Sequence, residues 1–235
     1  MRCRFKSLVF GISIAVATSL GAQVTVKLTA PNVPGGGTVA AFGVYMSPYS
    51  GTVNNSPVLL NCDDFFHDVS IGEVWRVNVT SLGGGSLSQT RFGGLANALT
   101  LYQEAAYLTT QYAPNPGLDA TTSAQTVAIQ SAIWDLFTPS APLPADDGAT
   151  DALDPTESSY WLDQASHRYA TAGLNYNNFN VLTGVDDPSI NATGSSAQEF
   201  IVTPEPGSFL LVGTGLMGMV GFVRRRRKSG HGSAV

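Results

Sequence analysis

The chain has 235 residues, 43% of them hydrophobic, which allows one domain of ordinary size with a packed core once its two ends are set aside. Of its twelve Lys and Arg residues, three are Arg2, Arg4 and Lys6 and five form Arg224 to Lys228, leaving Lys27, Arg76, Arg91 and Arg168 against sixteen acids between Gln23 and Thr203. That middle span carries a net charge of −12, which repels phosphate backbones and argues against nucleic acid as a partner.

Residues 1–22 read as a secretory signal peptide. A basic start is followed by the apolar stretch Leu8 to Leu20, of 13 residues, and then by the small residues Gly21 and Ala22, where cleavage is expected. The stretch is too short for a spanning helix. It ends without a Cys, so a lipoprotein anchor is not indicated.

Residues 23–203 are the expected extracytoplasmic domain, with strands over 23–80, a helical block over 94–172 and returning strands over 178–202. Val24 to Leu28 and Val39 to Tyr45 read as strands, Pro31 to Gly37 and Pro48 to Gly51 as turns. Val58 to Leu60 leads into Asn61-Cys62-Asp63-Asp64-Phe65-Phe66. Glu73 to Val79 alternates, with Trp75, Val77 and Val79 on one face. Gly83 to Gly85 breaks the chain and lacks the Lys and following helix of a phosphate loop.

The period then changes. Leu95, Leu99, Tyr102, Ala106 and Leu108 predict a helix over Leu95 to Gln111. A second helix, capped by Thr121, Thr122 or Ser123, should run to Phe137, and a third should cover Ser158 to Ala172. Tyr102, Tyr107, Tyr112, Trp161 and Tyr169 are expected to pack in the core or at its rim. Asn178 to Leu182 and Glu199 to Val202 read as strands. Strands, helices, then strands give an α+β class. Asp146, Asp147, Asp151, Asp154 and Glu157 fall in a Pro- and Asp-rich loop whose spacing does not fit a calcium loop, so a solvated loop is expected, with a loose calcium site as the alternative. The three His show no metal-ligand spacing, and no cofactor is expected. Asn78-Val79-Thr80 and Asn191-Ala192-Thr193 match glycosylation sequons, which carry no information in a bacterial chain.

Three parts follow in order at the C-terminus: Pro204-Glu205-Pro206, an apolar stretch over 208–223, and Arg224-Arg225-Arg226-Arg227-Lys228. The apolar stretch spans roughly 24 Å as a helix, marginal for a bilayer core of about 30 Å. Five cations hold its far end in the cytoplasm, with 229–235 as a cytoplasmic tail. The arrangement resembles the PEP-CTERM sorting signal. The resemblance implies a bacterial protein that is exported, anchored in the inner membrane through 208–223, then processed by an exosortase and delivered to the cell surface or extracellular matrix. A plain single-span anchor would share the orientation without the processing.

Once Cys3 leaves with the signal peptide, Cys62 is the one cysteine of the mature chain. It is buried and inert, paired between chains, or chemically used. Asp63, Asp64 and Asp68 raise a thiol's pKa by their charge, which disfavours a catalytic thiolate, and nothing pairs His67 or His167 with it. Helical spacing puts Gln130 on one face with Val127, Trp134 and Phe137, so its carboxamide needs a partner.

Ile129-Gln130-Ser131-Ala132-Ile133-Trp134 resembles the second motif of surface thioester domains, and Leu59-Leu60-Asn61-Cys62 their first. Asn61 stands where those domains often carry an aromatic or leucine. The resemblance implies a β-barrel or sandwich with a helical insertion. It also implies a thioester between Cys62 and Gln130, formed with loss of ammonia, with Asp63, Asp64 and Trp134 around it and Trp134 and Phe65 excluding water. Such a bond is open to a surface amine or hydroxyl on a polysaccharide or protein. A domain with Lys27 as its one lysine has little to attack it from within. Cys62-Asp63-Asp64-Phe65, Gly72-x-x-Trp75 and Ala132-Ile133-Trp134-Asp135 also resemble a group of PEP-CTERM proteins of unknown role. The expectation is a non-enzymatic adhesion or matrix protein, held covalently or, alternatively, a structural or carbohydrate-binding module without covalent chemistry.

Overall fold

A computed structural model of the chain describes residues 24–31, 39–112, 123–139, 154–185 and 197–202. The elements are β1 (Val24–Ala30), β2 (Ala40–Ala41), β3 (Val44–Tyr45), β4 (Tyr49–Val53), β5 (Ser56–Cys62), β6 (Val74–Ser81), α1 (Ala98–Thr109), α2 (Ser123–Phe137), α3 (Ser158–Arg168), β7 (Asn180–Gly184) and β8 (Phe200–Val202). Six strands close into an antiparallel barrel in the order β1-β4-β5-β8-β7-β6, and β2 and β3 form a separate small ladder. With the three helices, the class is α+β.

Two connections position the helices and one end of the barrel. β6 and β7 are paired neighbours, with Ser81 opposite Asn180. The whole helical block is therefore an excursion from two adjacent strand ends, and the barrel closes without it. β5 and β6, by contrast, stand opposite each other in the ring. Residues 63–73, which join them, must cross one end of the barrel.

The core has two compartments divided by the barrel wall. Val26, Leu60, Cys62, Trp75, Val77, Leu182 and Phe200 fill the inside with Trp134 of α2. Val181, Ile201 and Phe179 join Tyr102, Leu108, Ile129, Ile133 and Trp161 under the helices. Val181 and Leu182, like Phe200 and Ile201, point to opposite sides of the wall, as the two-residue period of a strand requires. Both faces of β7 and β8 are thus covered, which accounts for their short continuous apolar runs.

Several expected boundaries are corrected. Val39 to Tyr45 is not one strand: Phe42 and Gly43 have φ of 57° and 81° and turn the chain between β2 and β3. Of Pro48 to Gly51, expected as a turn, Tyr49 to Gly51 instead begin β4, where Gly51 faces Val58 across the ladder. A Cβ on Gly51 would lie 2.4 Å from Leu60 Cδ1 and 2.9 Å from the Lys27 carbonyl oxygen, so a missing side chain here makes room for a neighbour instead of bending the chain. The β4–β5 hairpin turns at Asn54-Asn55, with φ of 48° and 68°, the left-handed pair a tight hairpin needs.

Leu95 and Leu99 are exposed; α1 begins at Ala98 and buries Tyr102, Ala105, Ala106 and Leu108 instead. α3 ends at Arg168, short of Ala172. Val79 shares the parity of Trp75 and Val77 but is exposed, while Thr80, on the other side of the wall, is buried. Tyr102, Tyr107, Tyr112 and Trp161 are buried and Tyr169 is half-buried. The expected signal peptide, the caps Thr121 and Thr122, the acidic residues Asp146, Asp147 and Asp151, the sequon at Asn191, and everything from Pro204 onward lie outside the described residues.

Candidate functional site

Cys62 is the last residue of β5, its side chain inside the barrel and wholly buried. α2 packs with its Trp134 face into that end, which carries Gln130 to the same place. The Gln130 carboxamide is also fully buried. Its Nε2 donates to the Cys62 carbonyl oxygen at 2.8 Å. Its Oε1 accepts from the Ser47 backbone N–H at 3.2 Å and from the Tyr112 hydroxyl at 3.1 Å. Ser47 in turn accepts the Cys62 N–H on Oγ at 2.8 Å, locking β5 to the segment before β4.

Chemically, two donors on one carbonyl oxygen polarise the carbonyl and stabilise negative charge developing on that oxygen, the arrangement of an oxyanion hole. Burial holds the Tyr112 phenol well above its ordinary range, with Tyr49 and Cys62 adding to the effect, so Tyr112 remains a neutral donor.

The Cys62 sulfur has its own surroundings. Its S–H reaches the Asp64 carbonyl oxygen at 3.3 Å. Two N–H groups point at it: Trp134 Nε1 at 3.4 Å and Gln198 Nε2 at 2.8 Å. Burial pushes the thiol pKa well up; the Trp134 hydrogen bond opposes this and Asp63 adds to it. The neighbouring acids act in the expected direction, but desolvation is the larger cause. Phe65 closes over Trp134 edge-on, with ring centroids 5.0 Å apart.

Asp63 and Asp64 are both buried. Asp64 is bound by Arg91, whose Nε is 2.7 Å from Oδ2, and by His67, whose Nδ1 is 2.8 Å from the same oxygen. Arg91 Nη1 also lies 3.0 Å from His67 Nε2, so the arginine donates to that nitrogen and Nδ1–H donates to Asp64. His67 is therefore spent on Asp64. His167 is an exposed neighbour of Asp163 on α3.

Glu199 is fully buried and accepts from Tyr102 Oη, Thr183 Oγ1 and the Arg91 backbone N–H, the last at 2.8 Å. Asp63 lies beside it. Among the described residues neither Asp63 oxygen meets a donor side chain. Burial first, then Glu199, raise the Asp63 pKa, and a proton on Asp63 converts the contact into a hydrogen bond to Glu199. Ser47, Tyr112, Gln198, Arg91 and Glu199 carry no signal in the sequence that marks them for this site. Each arrives from an element remote in the chain, and no local spacing points to it.

The crossing segment 63–73 and the β2–β3 ladder frame a cavity of about 390 Å³. Val44, Tyr45, Tyr49, Phe65, Trp134 and Gln198 line it, and Asp68 stands at its exposed edge. Two of those residues, Trp134 and Gln198, are the donors to the Cys62 sulfur. Those two side chains touch both the cavity and the sulfur, which is itself wholly buried. No cluster of three or more metal-ligating side chains occurs among the described residues.

Residues 202–227 match the PEP-CTERM protein-sorting motif. The match takes in Pro204, Glu205 and Pro206, the apolar stretch 208–223 and Arg224 to Arg227, and it begins on the last residue of β8. It supports an exported protein that is handled by an exosortase and passes from a membrane-anchored state to the cell surface. Among the described residues no helix is long and apolar enough to cross a membrane; the stretch 208–223 is outside them. No curated protein and no solved structure matches the chain significantly.

Proposed function

We propose that the chain is a non-enzymatic surface or matrix protein which, after removal of a signal peptide over 1–22 and exosortase processing after the membrane-spanning segment 208–223 has held it, attaches covalently through a thioester between Cys62 and Gln130. The observation carrying this reading is the Gln130 carboxamide: buried against Cys62, its oxygen between the Ser47 N–H and the Tyr112 hydroxyl. Attack of the Cys62 sulfur on the carboxamide carbon forms the S–C bond and breaks the C–N bond. The thiol proton goes to the departing nitrogen, which leaves as ammonia. A surface amine or hydroxyl then attacks the same carbon and releases the thiol. The partner is a polysaccharide or protein bearing that group.

The full chain, purified in detergent, tests this. Its mature mass falls short of the sequence by one ammonia, and Gln130→Ala and Cys62→Ala each abolish the deficit. A mass equal to the sequence sum, with Cys62 alkylated under native conditions, overturns it. A second reading has its own support. The same three hydrogen bonds satisfy Gln130 as a brace between β5 and α2, which suits a structural or carbohydrate-binding module. Glycan binding that persists in Cys62→Ser favours that reading.

A further inference from the structure

We infer that Gln198, with the indole of Trp134, forms a two-donor cradle for the Cys62 sulfur that assists both the closing and the opening of the Cys62–Gln130 bond. This rests on the thioester reading and assigns a separate part of its machinery.

The sulfur is the nucleophile when the bond closes and the leaving group when it opens. In both steps negative charge accumulates on it. Its site is poor for that charge, being wholly buried with Asp63 and Asp64 beside it. Arg91 is committed to Asp64, to His67 and, through Nη2, to the Ala197 carbonyl at 2.9 Å. What faces the sulfur is a pair of neutral N–H dipoles, and fixed dipoles of this kind stabilise developing charge without importing a counter-ion.

The orientation of Gln198 is determined by its second contact. Nε2 also donates to the Asp64 carbonyl oxygen at 2.9 Å, and a carbonyl accepts only from the amide nitrogen, so nitrogen and not oxygen faces the sulfur. The indole nitrogen of Trp134 is a donor by nature. The same contact separates the two glutamines by role. Gln130 presents a polarised carbonyl; Gln198 presents its N–H. Gln198 also lines the cavity.

The test uses methylamine as the opening reagent on the full chain. Methylamine nitrogen bonds to the Gln130 carbonyl carbon, the C–S bond breaks, and the proton lost by the amine ends on sulfur. Gln198→Ala should slow this opening, read as mass gain and thiol release, by about 10- to 100-fold. Gln198→Glu should be at least as slow. In a Gln130→Ala background the thiol is free. There, adding Gln198→Ala should raise the pH midpoint of iodoacetamide alkylation by about one pH unit, which a merely structural role would not do. Wild-type opening rates and an unmoved alkylation midpoint in Gln198→Ala overturn the cradle while leaving the thioester in place. An ammonia deficit retained in Gln130→Ala and lost in Gln198→Ala overturns it too, because Gln198 would then be the acyl donor. Absence of the deficit in the wild type removes the thioester and the cradle together.

Discussion

Tyr112→Phe isolates a single hydrogen bond at the proposed acyl carbon. Tyr112 is 5% exposed, and its hydroxyl lies 3.1 Å from Gln130 Oε1. The substitution keeps the ring and removes the donor, so its structural cost is that of one buried hydrogen bond, about 1 kcal/mol. The kinetic cost should be larger. Among the described residues Gln130 Oε1 has two donors, and the second, the Ser47 N–H at 3.2 Å, cannot be removed by a side-chain change. Loss of one of two oxyanion donors slows acyl transfer by about 10²- to 10³-fold, or about 2.7–4 kcal/mol. The assay is methylamine opening of the purified full chain, followed by intact mass, with thermal melting in parallel. Opening should slow by that factor while the melting temperature falls by only a few degrees. An opening rate within a factor of about two or three of wild type, with melting equally unaffected, would refute the oxyanion role of Tyr112.

Other outcomes rest on the buried acids and the barrel wall. The Asp63 pKa is raised in the fold, so the fold binds more protons than the unfolded chain and stability declines as pH rises above the ordinary carboxyl value of 3.8; urea midpoints between about pH 4 and pH 8 should show this decline, and Asp63→Asn should flatten it. Glu199→Leu strands the Tyr102 and Thr183 hydroxyls and the Arg91 N–H, and should cost about 3 kcal/mol or more in denaturant unfolding. Gly51→Ala forces a methyl against Leu60 and the Lys27 carbonyl and should destabilise by about 1–3 kcal/mol, measured as a lowered melting temperature.

Residues whose role is set by near neighbours are the legible ones. Trp75 and Val77 alternate within β6, and the sequence predicts that strand; α2 shows a helical face, and Gln130 stands out on it as the polar residue that must find a partner. β4 is not legible, because Pro48, Tyr49, Ser50 and Gly51 have the composition of a turn, and only the barrel supplies the Leu60 side chain that explains Gly51. The burial of the acids after Cys62 is hidden for the same reason. It depends on Arg91, from the segment before α1, and on Glu199, from just before the last strand. Tyr112 and Gln198 are ordinary polar residues in irregular segments until the fold sets them beside Gln130 and Cys62.

The excursion of the helices from one end of β6 and β7 also has a mechanical side. A partner joined to Gln130 would pull on the helical block, whose two exits into the barrel are Ser81 and Asn180. The sorting motif begins at Val202, which is paired with Asn180. Load would therefore enter β7 and leave β8 at the same end of one antiparallel ladder. Tension along that path would part Asn180–Val202 first, then Val181–Ile201, then Leu182–Phe200, as a zip opens, with β8 left on β5 through Leu60–Val202, Asn61–Ile201 and Cys62–Phe200, while β1 and β4 stand outside the line of force.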